Sequence, residues 1–316
     1  MVKEKNYSWM WFHDYFSKAE VHLHGFTDIY ASIKTKYHKI DLVESPCFGK
    51  TLIIDGDVQS SIKDEYIYHE ALVHPAMLLC NDVENVFLAG GGEGATLREI
   101  LKYKSLKNVV KCDIDEEAIN IYKEKLVEWH KGSFFDNRVT LKHTDARALL
   151  ESYPDSFFDV IITDLTEPTE NSHSKRLYSK EFFSLCKNKL KANGNIAIQA
   201  SLLEVTAYNM HASIAKTLKE IFPITRSYAE YIPSFDTTWG FIFASNQTDP
   251  INFSPKDIDE KIHAKVEGDL RYYDGITHLH LFSLGKDLRE LLDKEGQIIT
   301  DETPFYLERK ERIFDL

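Results

Sequence analysis

The chain has 316 residues, 43% of them hydrophobic and 12% aromatic, enough to bury a sizeable core in one large domain or two unequal ones. Fifty acidic against 38 basic side chains give a formal net charge of −12, which argues against a nucleic-acid-binding face and suits cationic small ligands. Cys47, Cys80, Cys112 and Cys186 have no paired spacing, the N-terminus has no apolar core of a leader, and no run is long enough to span a bilayer. These features lead us to expect a cytoplasmic protein with no membrane partner.

Residues 8–15 are aromatic and irregular, with Trp9, Trp11, Phe12 and Tyr15, and such an arm packs on its own chain or on a neighbouring subunit. Three short segments, 28–34, 37–44 and 50–55, have strand character. Turn residues separate them, notably Ser45-Pro46 and Asp55-Gly56-Asp57, so a small antiparallel β domain is expected. A helix follows over 64–79, its last turns restricted by His74-Pro75.

Beyond Asn81 strands and helices alternate. Strands are predicted at 86–89, 108–112, 139–143, 157–163, 195–200, 225–232 and 239–244, and helices at 95–104, 116–127, 146–152, 180–190 and 205–221. The rest of the chain reads as charged and mainly helical. Alternation of this kind predicts an α/β fold with a mostly parallel, doubly wound sheet. The expected division is 1–80, strands plus a linking helix, and 81–316, the doubly wound domain.

Ligands of open α/β sheets bind beyond the carboxyl ends of the strands. After the first parallel strand comes Gly90-Gly-Gly-Glu-Gly94, a turn in which Glu93 would repel a pyrophosphate but suits a cation. After the second come Asp113 and Asp115, about twenty residues past the glycines, where a carboxylate grips a ribose diol. Asp145 follows the third, placed for an adenine amino group, and Asp164 with Glu167 follow the fourth. Asp115 and Asp145 read equally well as helix N-caps. A nucleoside site without a basic phosphate clamp points to an S-adenosyl-type co-substrate, and the further acids point to a cationic second substrate.

The glycine turn with Arg98-Glu99 resembles the GGGxG…RE signature of the spermidine synthase, or polyamine aminopropyltransferase, family. Asp55-Gly-Asp-Val-Gln59, Asp64-Glu-Tyr-Ile-Tyr-His-Glu70, Cys112-Asp-Ile-Asp115, Ile162-Thr-Asp-Leu-Thr-Glu-Pro168 and Ile232-Pro-Ser-Phe235 with Trp239-Gly240 follow in family order. Glu93, His69 and Phe235 are most similar to thermospermine synthases; spermidine synthases usually carry Asp, Gln and Tyr there.

The resemblance implies a Rossmann-like, methyltransferase-type sheet. It also implies decarboxylated S-adenosylmethionine as co-substrate, with no prosthetic group and no metal. Gln59, Gly90, Gly92, Glu93, Gly94, Asp113, Asp145 and Ala146 would hold the nucleoside, Asp164 and Tyr68 would be catalytic, and His69, Glu167, Phe235 and Trp239 would face the acceptor. Spermidine is the first acceptor, putrescine and agmatine the alternatives, and a homodimer or homotetramer is expected. His38 stands where spermidine synthases carry a strand glutamine. His69 also reads as a buried structural histidine on a core face with Tyr66 and Leu72-Val73, Trp239 as packing, and 102–111 as a solvated face. A methyltransferase is the competing enzyme, disfavoured because Glu93 would face the methionine carboxylate. A non-catalytic polyamine-binding protein is the competing binder, disfavoured by an intact Asp164, Glu167 and Tyr68.

Overall fold

The computed structural model of the chain describes residues 9–17, 20–169 and 172–307, with the side chains of 15–17 outside that description. Ser8 and the Tyr15 side chain of the aromatic arm thus lie outside the described residues. Two compact units emerge: residues up to 65 with 233–236, and residues 66–232 with 237–307.

In the smaller unit the arm is regular, contrary to expectation. Strand β1 (Met10–Ser17) pairs antiparallel with β2 (Glu20–Phe26), Trp11 opposite Gly25 and Phe12 opposite His24. Dense aromatics hid this pairing. A four-stranded meander follows: β3 (Asp28–Lys34), β4 (Lys39–Ser45), β5 (Gly49–Ile54) and β6 (Asp57–Ser61). The fourth strand was not expected. Asp55 (φ 53°) and Gly56 (φ 94°) make the two-residue loop between Ile54 and Asp57, and positive φ at both is what a tight type I′ hairpin needs.

In the larger unit, helix α1 (Glu65–Leu79) continues past Pro75. Proline cannot donate to the carbonyl four residues back, Ala71, but the Tyr228 hydroxyl does so at 3.1 Å. The replacement donor explains why the expected restriction does not end the helix.

The sheet comprises β7 (Asn85–Gly90), β8 (Asn108–Cys112), β9 (Val139–Lys142), β10 (Phe158–Asp164), β11 (Leu190–Leu202), β12 (Ile224–Ile232) and β13 (Thr237–Ser245). Its order is β12-β13-β11-β10-β7-β8-β9, with the five strands from β11 to β9 parallel and β13 antiparallel to both neighbours. Helices α2 (Ala95–Ile100), α3 (Glu116–Lys125), α4 (Val127–His130), α5 (Ala146–Glu151), α6 (Lys180–Lys189) and α7 (Asn209–Lys219) connect them. After the sheet come α8 (Pro255–Lys265), α9 (Gly275–Leu281) and α10 (Lys286–Lys294). This is the doubly wound arrangement expected.

Val160, Ile161 and Ile162 of β10 are fully buried, as an apolar run in a strand covered on both faces requires. Phe158, Phe182, Phe183, Ile196 and Ile214 build the core against them. One expectation fails: 102–111 is not a solvated face. Tyr103 and Leu106 are buried and Lys111 is wholly so, because the stretch closes α2 and enters β8. Strand order reverses between β7 and β10, and the crevice beyond their carboxyl ends is where such sheets bind ligands.

Candidate active site

Asp164 ends β10 opposite Gly90, which ends β7, and the Gly91 amide donates to the Asp164 carbonyl at 2.8 Å. Gly90 has φ +80°, and a Cβ there would collide with that carbonyl, so only glycine lets the two strand ends meet. Gly94 (φ +85°) caps α2, and a Cβ would stand 2.7 Å from His130 and Phe134. The turn is thus pinned at both ends, with Glu93 projecting between them.

Five side chains converge here. The Tyr68 hydroxyl on α1 donates to Asp164 Oδ1 at 2.7 Å, and Thr96 Oγ1 on α2 donates to Oδ2 at 2.5 Å. His69, next on α1, is 2% exposed and bonds Glu93 Oε1 through Nε2 at 2.6 Å. His69 is therefore buried, as a structural histidine would be, and also engaged with the turn carboxylate. One donor atom each from His69, Glu93 and Asp164 lies within 4.8 Å of the others, a set with the chemistry to hold a cation. Hydrogen bonds from Tyr68, Thr96 and His69 already satisfy it internally, so we assign no metal to it.

The two carboxyls are driven apart. Burial pushes Asp164 above the ordinary carboxylate range and the neighbouring Glu93 charge adds to that, against the hydrogen bonds from Thr96 and Tyr68. Burial also opposes ionisation of Glu93, but the hydrogen bond and charge of His69, with help from Lys111, carry it below its usual value. Burial and the Asp164 charge raise the Tyr68 phenol far above its ordinary value, so it remains a donor. Asp164 is left as a strengthened base and Glu93 as a fixed anion.

Along the sheet edge, Asp113 follows β8, accepts the Asp115 amide at 3.1 Å, and its Oδ2 lies 3.7 Å from where a Gly92 Cβ would stand. Asp115 and Asp145 cap α3 and α5, accepting the Ala118 and Ala148 amides at 3.0 and 2.8 Å. Ala146 opens α5 and is buried in the core. Asp145 and Arg147 border a cavity of about 490 Å³ lined also by Ser172, His173 and Arg176.

On the other side of Asp164, Glu167 accepts the Ser201 hydroxyl, and Trp239 Nε1 donates to Gln199 Oε1 at 3.1 Å. Gln199 Nε2 reaches the Tyr178 hydroxyl at 2.8 Å and the Leu165 carbonyl. Ser201 has φ 66°, a left-handed bend at the end of β11 that accompanies its bond to Glu167. Gln59 on β6 and Phe235 in 233–236 belong to the smaller unit, as does His38, whose Nδ1 meets Asp55 Oδ2 at 2.7 Å.

The sequence reading passed over Thr96, Gln199, Ser201 and Lys111. Thr96 and Ser201 follow a glycine turn and a strand end, where a search for acids alone does not stop. The signal was their position, not their charge.

Residues 65–255 match the spermine/spermidine synthase domain. A polyamine aminopropyltransferase of Sulfurisphaera tokodaii is 41% identical over 298 residues, covering 94% of this chain and 98% of the relative. Polyamine aminopropyltransferase 2 of Hyperthermus butylicus is 39% identical, with 95% and 97% covered. A crystal structure of spermidine synthase with the transition-state analogue AdoDATO superposes with a TM-score of 0.83 at 26% identity, covering 92% of this chain and 98% of that one. Spermidine synthase from Thermotoga maritima gives 0.82 at 27% identity with the same coverage. The chain belongs to the spermine/spermidine synthase family, a family of aminopropyltransferases.

Proposed function

We propose that this chain moves the aminopropyl group of decarboxylated S-adenosylmethionine to spermidine and releases 5′-methylthioadenosine. The observation that carries the reading is the Tyr68–Asp164 and His69–Glu93 pair of contacts at the switch point of the sheet. The attacking amine must be neutral, yet an alkylamine has a pKa of about 10.4, so freeing it at pH 7 costs roughly 4.6 kcal/mol. A fixed anion makes that harder and a base makes it easier. Asp164, its pKa raised by burial and its carboxyl held in place by Tyr68, takes the proton as nitrogen attacks the carbon beside the sulfonium. Glu93 and Glu167 hold amines that stay charged. Asp113 grips the ribose, and Gly92, Asp145 and Ala146 complete the nucleoside side. Trp239 faces the acceptor with His69.

Spermidine is preferred to putrescine and agmatine on the likeness of Glu93, His69 and Phe235 to thermospermine synthases. The exposed aromatic and aliphatic side chains near the N-terminus, Trp9, Trp11, Leu23, Ile29 and Tyr30, support a homo-oligomer. Among the described residues no helix is long and apolar enough to cross a membrane, and the four cysteines are unpaired, which suits a reducing cytoplasm.

The decisive assay offers decarboxylated co-substrate with spermidine, putrescine or agmatine and separates product isomers by chromatography. Thermospermine as main product is expected. Turnover with putrescine alone would overturn the acceptor assignment, and no turnover with any amine would overturn the reaction.

A further inference from the structure

Lys111 stands on β8 within a charged stretch, yet its side chain is fully buried. It lies between Leu88 of β7 and Leu141 of β9, and strand alternation turns it away from Val110 and Cys112, which join the core on the other face. Its Nζ donates to the Gly90 carbonyl at 2.5 Å and the Gly91 carbonyl at 2.8 Å. The β7–β8 ladder ends with the Ala89–Cys112 pair, and Lys111 continues it with a side-chain donor. Asp113 Oδ2 is 3.9 Å from the ammonium. Glu93, Asp164 and Cys112 act on it from further away, and the Phe134 ring lies 5.9 Å off, with Lys123 near the same ring. Burial lowers the Lys111 pKa, and the carboxylates, Asp113 foremost, oppose that fall.

We infer that Lys111 is a positioning residue of the nucleoside site, clamping the Gly90 and Gly91 carbonyls beneath the turn that carries Glu93 and placing a cation beside Asp113. A turn with three left-handed glycines has many other conformations open to it, and a buried charged donor selects one. Bare carboxylates gathered in a buried rim would each raise the others' pKa, and a cation fixed below them counters that before the substrate's own charge arrives. This rests on the proposed reaction.

The test is Lys111→Met, which keeps the length of the stem and removes donor and charge. The KM for decarboxylated S-adenosylmethionine is expected to rise about tenfold or more, as the loss of two charge-assisted bonds implies, with kcat changed far less. The acidic limb of kcat/KM is expected to move to higher pH, because Glu93 loses one of the cations that lower its pKa. Lys111→Arg, which retains charge and donors, is expected to return the limb toward its original pH. A merely structural lysine would lower stability and leave the limb in place. If Lys111→Met does not accumulate as folded protein, Lys111→Gln carries both readouts. An unchanged KM together with an unmoved limb in an active background overturns the inference alone. A wild-type chain that neither turns over nor binds methylthioadenosine overturns the proposed reaction and this inference with it.

Discussion

Helix α1 supplies two histidines, and each meets a glutamate and a tyrosine, but the two clusters do opposite things. His69 bonds Glu93 beside Tyr68 and Asp164. Five residues on, His74 bonds Glu99 Oε2 at 3.2 Å through Nε2 and the Tyr103 hydroxyl at 3.0 Å through Nδ1. Glu99 is 1% exposed and also meets Arg98 at 2.9 Å and Lys102 at 2.7 Å. Burial opposes its ionisation, yet His74, Lys102 and Arg98 hold its carboxyl far below the usual range. Glu93 has a second carboxylate for a neighbour, and that neighbour, Asp164, is pushed upward. The same residue types make a sealed strut where cations complete the charge, and a reactive site where an acid is left as a base. Charge balance, not composition, separates them.

The widest separation is expected between Asp164→Asn and Glu99→Gln. Removing the base should lower kcat by about a thousandfold while methylthioadenosine binding stays within a few-fold, measured by product assay and calorimetry. Near-wild-type turnover would sink the assignment. Stability should move the other way. A carboxyl whose folded pKa is raised is favoured when protonated, so its ionisation costs stability as pH rises through that pKa. Asp164→Asn is therefore expected to unfold at the same or a higher temperature than wild type at pH 7, and a lower midpoint would contradict the raised pKa.

Glu99→Gln leaves Arg98 and Lys102 without their anion and should cost about 2–3 kcal/mol in denaturant titrations, with activity per folded molecule preserved. Glu99 has a depressed folded pKa, so its stabilisation is complete above the ordinary glutamate range and is lost as pH falls below it. The gap between wild type and Glu99→Gln should accordingly narrow in acid. A gap that persists or widens there would show that packing, not charge, is what Glu99 supplies.

The tyrosines give a smaller version of the same contrast. Tyr68→Phe removes a donor from the base and should lower kcat about ten- to a hundredfold with little change in stability. Tyr103→Phe removes a partner of His74 and should cost about 1 kcal/mol of stability without touching turnover. Equal effects of the two on turnover would erase the distinction between the clusters.

Much of the site was legible because its signals are local. Four consecutive strand ends carry an acid, and a glycine turn between a buried strand and a helix announces where a ligand goes. Asp145 and Asp115 were legible both ways, and their bonds to the Ala148 and Ala118 amides show the capping role in place. The pairing of Glu93 with His69 and of Glu99 with His74 was not legible, since each joins residues more than twenty positions apart. Lys111 was misread for a related reason: a lysine among lysines looks solvated until a sheet buries alternate side chains. The β1–β2 pairing was missed because consecutive aromatics mask the alternation that marks a strand. Gln199 and Ser201 carry no charge, so nothing in the residue types flagged them, although both sit at the end of a parallel strand.

His69→Gln sharpens the contrast at its finest point, since only one member of one pair changes its ability to carry charge. In the wild type the His69 bond and charge outweigh burial and keep Glu93 below its ordinary pKa. Glutamine still offers a hydrogen bond but no charge, so burial regains ground and the Glu93 pKa rises. Protonated Glu93 no longer anchors a cation, and the acidic limb of kcat/KM should move up by about half to one pH unit, a three- to tenfold loss on that limb that fades above neutrality. Because Glu93 and Asp164 interact, the limb reports the pair and not either residue alone. His74→Gln is the matched control: Glu99 keeps Arg98 and Lys102, so stability should fall and the limb should stay where it is. A limb that moves equally in both variants would mean that α1 geometry, rather than the charge on Glu93, sets the pH dependence.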